Sequence, residues 1–254
     1  IPGTVKTIGN CVFDECNKLT TLIYEPSPTG EALTHGFNDD NNDDGPFYAS
    51  PLTSVDLNRE IDYTYASSAA NADEGLFGNK TSLASVTLGD QVKTLSKFMF
   101  ANAVIEELVI PGSVTTIQNE VFRGCKNLAT LTFNPSPSGT FLTMGYDTDV
   151  ENENLFQDNN KLATLNLNRE IVYTLDESAI DSDSEGLFGG MPTLTSVTLG
   201  EQIKTLHKYM FAGSGITELV IPGTVTTIQN DVFHGCKQLA TLTFNPSPSE
   251  TPLN

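Results

Sequence analysis

The sequence predicts a mostly β solenoid, a stack of short coils that each add one strand to a curved parallel sheet, and three observations predict it. The stretch 110–139, IPGSVTTIQNEVFRGCKNLATLTFNPSPSG, returns over 221–250 as IPGTVTTIQNDVFHGCKQLATLTFNPSPSE, with five of thirty positions changed, and a more diverged copy opens the chain over 1–30. Between these copies a finer phrase recurs nine times: a Phe, then eight or nine residues later a short apolar triplet with Leu or Ile three residues before it. Finally, one coil of about 22 residues cannot bury its own apolar face, so neighbours must stack to close a core.

The strands come first. The triplets are Leu22-Ile23-Tyr24, Val55-Asp56-Leu57, Val86-Thr87-Leu88, Leu108-Val109-Ile110, Leu131-Thr132-Phe133, Leu165-Asn166-Leu167, Val197-Thr198-Leu199, Leu219-Val220-Ile221 and Leu242-Thr243-Phe244. Alternation within each sends its first and third side chains to the core, and the Leu or Ile before it adds an apolar plug. The steps between triplets run about 33, 31, 22, 23, 34, 32, 22 and 23 residues, so the larger period is two long coils and two short ones. Super-repeats are accordingly expected over 1–109, 110–220 and, in part, 221–254 of one continuous domain. At roughly 4.8 Å per strand, nine coils span about 40 Å.

Within the short coils, Ile-Pro-Gly at Ile1, Ile110 and Ile221 suits a type II turn, with Pro second and Gly third. Val5–Ile8, Val114–Ile117 and Val225–Ile228 then read as short second strands, as do Val92–Leu95 and Ile203–Leu206. Val12-Phe13, Val121-Phe122 and Val232-Phe233 are expected to begin brief helical turns with Phe as the large plug. The long coils replace the middle of this pattern with acidic inserts, two after the PSP of Pro26 and Pro135 and two after the NREI tetrapeptides at Asn58 and Asn168. Inserts at one place in successive coils project from one side, so a ridge of acidic loops is expected.

The unit L-x-x-L-x-I-P-x-[ST]-V-x-x-I-x-x-x-x-F-x-x-C resembles the BspA-like leucine-rich repeats of bacterial surface proteins, a type also found in some parasitic protists. The match is close from Leu108 to Cys125 and from Leu219 to Cys236 and looser over the long coils. The resemblance implies a leucine-rich repeat solenoid, a bacterial cell-surface or secreted location and a role in adhesion.

Charge narrows the partners. With 32 acidic against 13 basic residues, the net charge of −19 repels nucleic acid and anionic lipid. No apolar run approaches the roughly 18 residues of a membrane span, and no leader pattern opens the chain. Ile1 stands where a strand should just have ended and the chain stops soon after another strand, so its open ends read as those of a fragment. Cys16, Cys125 and Cys236 hold one repeat position, about 19 Å apart in succession, far beyond the roughly 7 Å a disulfide tolerates. They read as small core hydrophobes.

Catalysis finds no support: His35, His207 and His234 fall in unrelated phases, and no nucleophile or phosphate-loop motif is present. Two inserts match the opening of an oxygen-ligand loop, at Asp40, Asn42 and Asp44 and at Asp181, Asp183 and Glu185. The twelfth position, where a bidentate Glu should close the sphere, is Pro51 in one and Pro192 in the other. Ordinary solvated loops, with no cofactor, are therefore expected, and calcium at those six residues is the alternative.

The outward strand face remains. Thr130, Thr132, Asn134, Thr164, Asn166, Ser196 and Thr198 point away from the core if Leu131 and Phe133 point in. The expected function is a monomeric, non-catalytic module that docks a host extracellular protein or glycan on this face, since a curved sheet is a long platform. A structural spacer or stalk is the alternative, because the face lacks the Trp, Tyr and Arg that dominate interface energies.

Overall fold

The computed structural model describes residues 1–36, 45–63, 75–145, 155–156, 158–173 and 186–248. Two faces of parallel strands run along it. The main face holds β2 (Thr21–Tyr24), β4 (Ser54–Leu57), β6 (Ser85–Leu88), β8 (Glu107–Ile110), β10 (Thr130–Phe133), β12 (Thr164–Leu167), β14 (Ser196–Leu199), β16 (Glu218–Ile221) and β18 (Thr241–Phe244). The opposite face holds β1 (Thr7–Ile8), β3 (Leu33–His35), β5 (Ile61–Tyr63), β7 (Thr94–Leu95), β9 (Thr116–Ile117), β11 (Leu142–Met144), β13 (Ile171–Tyr173), β15 (Thr205–Leu206) and β17 (Thr227–Ile228). Every expected triplet lies in a main strand. The chain is thus the mostly β leucine-rich repeat solenoid that the sequence predicts.

The core follows from the period-two pattern. Leu108 and Ile110, Leu131 and Phe133, and Leu165 and Leu167 are buried from the main side. Leu95, Ile117, Leu142 and Met144 close it from the other. Between the faces runs a spine of nine phenylalanines, one per coil. From Phe13 through Phe47, Phe77, Phe100, Phe122, Phe156, Phe188 and Phe211 to Phe233, successive ring centroids lie 4.9 to 6.3 Å apart. Offset and tilted stacks at this spacing contribute about 0.5–1.5 kcal/mol each beyond burial.

Two local expectations are corrected. The residues around each Phe form successive hydrogen-bonded turns, and no helix occurs among the described residues. The reason is backbone sign: Glu120 and Gly124, two residues either side of Phe122, have φ of 56° and 67°, and a right-handed helix cannot pass through them. The same pair flanks Phe13 as Cys11 and Glu15 and flanks Phe233 as Asp231 and Gly235. The turn after the strand also differs. Pro111 accepts from the Val114 amide at 3.1 Å, so the turn starts one residue later, and Gly112 stays outside the left-handed region that a type II turn would need there. Gly112 is required instead for close approach, because a Cβ there would lie 2.1 Å from the Pro135 carbonyl oxygen.

Neither face is one continuous ladder. The main face divides into β2-β4-β6, β8-β10-β12-β14 and β16-β18, and the opposite face into β1-β3-β5, β7-β9-β11-β13 and β15-β17. The breaks fall at the short coils that open with Asp90-Gln91 and Glu201-Gln202. Side chains bridge there: Glu60 Oε2 accepts from the amides of Lys93 and Thr94 at 2.5 and 3.1 Å, and Glu170 does the same for Lys204 and Thr205 at 2.5 and 3.3 Å.

Candidate docking face

Parallel pairing sets the expected site residues in two straight rows. Thr164 sits between Thr130 and Ser196, and Asn166 between Thr132 and Thr198. The rows extend to Glu107 and Val109 on β8. All seven expected residues therefore share one outer surface, with Asn134 just beyond β10. They are not equivalent, however. Thr130, Thr132, Thr164 and Asn166, on paired strands, and Asn134 beside them are half-buried, and the Asn166 side-chain amide donates to Thr132 Oγ1 at 3.0 Å. Ser196 and Thr198, beside the break after β14, are exposed.

At that break the surface opens into a hollow of about 550 Å³. It runs between β14 and β16, and its floor is formed by the two strands, with Leu199 and Leu219 buried and Val197 only partly so. Ser196, Thr198, Thr217, Thr241 and Thr243 line its walls, and among the described residues its charged lining is Glu201 and Glu218. Neither glutamate is among the site residues expected from the sequence. The signal for the hollow, a break in pairing, is absent from any single coil.

A second hollow of about 470 Å³ lies on the flank by Ser136, Ser138 and Thr140. Its hydroxyls are largely engaged with one another: Ser138 and Thr140 oxygens lie 2.5 Å apart and the Thr140 amide donates to Ser136 Oγ at 3.0 Å.

Asp40, Asn42, Asp44, Asp181, Asp183 and Glu185 lie outside the described residues. Among those described, no group of three or more His, Cys, Asp or Glu side chains is arranged to hold a metal. The histidines are dispersed. His35 is buried among the rings of Phe13, Tyr24, Phe47 and Tyr63, His207 meets the Ile171 carbonyl at 2.9 Å, and the exposed His234 lies edge-on to Tyr209. Cys16, Cys125 and Cys236 form no disulfide, as their spacing requires. Cys125 is buried as expected and donates its thiol to the Phe100 carbonyl at 3.1 Å, a bond repeated by Cys236 with Phe211. Burial pushes the Cys125 thiol up to about 12.

The NREI tetrapeptides, which in the sequence only mark the start of an insert, fasten coils together. The Arg59 guanidinium is 1% exposed and donates to the carbonyls of Gly3, Val5 and Glu31 at 2.9 to 3.1 Å. Arg169 donates likewise to Pro111, at 3.2 Å, and to Val114. Gln91 and Gln202 reach across a coil to both main-chain groups of Ser27 and Ser136 at 2.7 to 2.9 Å.

Comparison with known proteins agrees with this architecture. A family model described as BspA type leucine rich repeat region matches residues 44–139 and 177–251 in six copies. No curated protein matches the chain. Among solved structures, a leucine rich cell surface protein from Faecalibacterium prausnitzii is similar at 19% identity over 98% of this chain and 79% of that one, with a TM-score of 0.33. A leucine-rich repeat protein from Bacteroides ovatus is similar at 17% over 97% and 67%, with a TM-score of 0.44. The pneumococcal vaccine antigen PcpA is similar at 15% over 94% and 75%, with a TM-score of 0.34. At these identities and scores none of the three carries an inference about ligand or activity. No helix among the described residues is long and apolar enough to cross a membrane. With its family model covering most of the sequence, the chain belongs to the BspA-type leucine-rich repeat family.

Proposed function

We propose that this chain is a non-catalytic bacterial cell-surface or secreted protein that docks a host extracellular protein or glycan, as a monomer, on the outer face of its main strands. The observation that carries this reading is the hollow between β14 and β16, where exposed Ser196 and Thr198 meet Thr217, Thr241 and Thr243 over a floor of two strands that share no ladder. Small hydroxylated side chains leave such a floor accessible, and strand pairing fixes their spacing. Family membership supports the location and the absence of chemistry as general properties of such repeats.

The spacer reading keeps one specific support, because Thr132 and Asn166 satisfy each other at the centre of the face. Binding of the chain to an array of extracellular-matrix proteins and glycans separates the two. A Ser196→Arg/Thr198→Arg variant fills the hollow's rim with bulk and charge and is expected to lose saturable binding while keeping its circular dichroism. Parallel measurement with calcium and with chelator tests the six insert residues, where calcium dependence would assign them a role. Failure of the parent chain to bind anything on the array, while folded, would favour the spacer.

A further inference from the structure

We infer that the breaks in the main face are paired docking seams for extended, basic polypeptide, an inference that rests on the docking reading above and narrows its occupant. The first observation is topological. β14 pairs with β12 and β16 pairs with β18, but β14 and β16 share no ladder, so the main-chain groups along their facing edges are not taken up by strand pairing. These edges form the floor of the hollow. Peptide N–H and C=O groups without a ladder partner offer donors and acceptors to a ligand with the same alternation, namely another extended chain.

The second observation is charge. Glu218 opens β16 and Glu201 follows the end of β14, so the seam carries a carboxylate at each end and no basic lining residue. The two ends are on the order of 10 Å apart along the strand direction, which extended chain spans in about three to four residues. Cationic side chains two and four residues apart would lie on one face of the ligand and reach both carboxylates. The protein's charge of −19 favours approach of such a ligand from a distance.

The third observation is recurrence. β6 and β8 lie side by side without a ladder in the same way, with exposed Glu107 opening β8 and exposed Asp90 following β6. Ser85 and Thr87 there stand where Ser196 and Thr198 stand in the other, and all four are exposed, unlike their half-buried counterparts on β10 and β12. Val109 and Val220, each 51% exposed, supply one apolar contact per seam at equal height. Two equivalent seams per chain make a partner with spaced basic segments bind more tightly than either segment alone.

The test is titration of the whole chain with a blocked synthetic peptide of alternating lysine and threonine, read by calorimetry at low salt. Two sites per chain are expected. Glu201→Gln with Glu218→Gln should reduce this to one, with the lost site weakened by about tenfold, and adding Asp90→Asn with Glu107→Gln should remove the second. A control carrying Asp14→Asn, Glu15→Gln, Asp158→Asn and Asp231→Asn, all exposed in the turns beside the phenylalanine spine, removes equal charge and should keep both sites. Equal loss in the control, or equally tight binding of spermine, which has charge but no peptide groups, would overturn the inference. No binding of the lysine peptide by the parent chain would also overturn it. That result would leave the broader docking reading intact, because the array tests that reading independently.

Discussion

His35 shows how one side chain departs from the repeat. Leu33-Thr34-His35 of β3 corresponds to Leu142-Thr143-Met144 of β11, so a histidine occupies a position where the other copy has a buried methionine. The ring is 3% exposed, Nδ1 meets the Gly36 carbonyl at 2.7 Å, and Nε2 has no partner. Two titratable groups are packed with it, Tyr24 and Tyr63; Tyr24 is buried with an unpartnered hydroxyl, and burial holds that phenol well above its usual range. Desolvation holds His35 below the ordinary 6.5, against a smaller opposing effect of the Gly36 bond. The unfolded chain therefore takes up a proton near 6.5 that the folded chain refuses. The stability contributed by neutral His35 is complete above that pH and is lost as pH falls through it. His35→Met should raise stability by about 1–2 kcal/mol at neutral pH by removing the unbonded nitrogen, and should flatten the decline in melting temperature below pH 6.5. An unchanged pH slope in the variant would show that other groups set the acid sensitivity. The substitution of His for Met was legible in the sequence by aligning the copies. The ring cage was not, because its four aromatics are spread from Phe13 to Tyr63 over more than one coil.

At the scale of the element, the main strands were legible because each short triplet carries its own alternation and its own preceding plug. The second strands were overextended in the sequence reading. Val114–Ile117 shrinks to Thr116–Ile117, since Val114 is spent in closing the turn to Pro111. Pairing between coils was the illegible part, because bonds such as Arg169 to Pro111 join residues 58 apart and depend on stacking register. Arg169 is fully buried, faces only carbonyls and has no carboxylate among its bonded partners. Burial lowers its pKa, yet the fork satisfies the Val114 carbonyl and adds a second donor to the Pro111 carbonyl, which already accepts from the Val114 amide. Arg169→Met is expected to cost about 1–3 kcal/mol, by leaving the Val114 oxygen buried without a donor and the Pro111 oxygen with the Val114 amide alone. Arg169→Lys should recover less than half of that, since an ammonium cannot reproduce the planar fork. Urea unfolding followed by circular dichroism measures both, and full rescue by lysine would mean that charge, rather than geometry, holds the coil.

For the whole molecule, the phenylalanine spine runs without interruption through all nine coils, and it crosses the ladder breaks that interrupt both faces. Phe77 to Phe100 and Phe188 to Phe211, the two steps beside those breaks, keep centroid distances of 6.0 Å with nearly parallel rings. Cohesion across a break therefore falls to the spine, to main-chain bonds of its turns such as Phe77 N–H to the Met99 carbonyl and Phe188 N–H to the Met210 carbonyl at 3.0 Å, and to the bridging side chains of Glu60, Gln91, Glu170 and Gln202. In an array where each coil touches only its neighbours, stability is a sum of coil terms and interface terms, and the loss of one central interface uncouples the two sides. Phe122 is fully buried and stacks on Phe100 and Phe156, whereas Phe233 is only partly buried and stacks on Phe211. Phe122→Ala should cost about 3–5 kcal/mol and split thermal unfolding into two resolvable transitions. Phe233→Ala should cost roughly a third as much and leave a single main transition, because only one neighbour loses its contact. Scanning calorimetry of the two variants beside the parent chain reads both the cost and the number of transitions. Equal costs, or one sharp transition in the Phe122 variant, would show that the coils are held chiefly by the strand ladders and that the spine is filling rather than coupling.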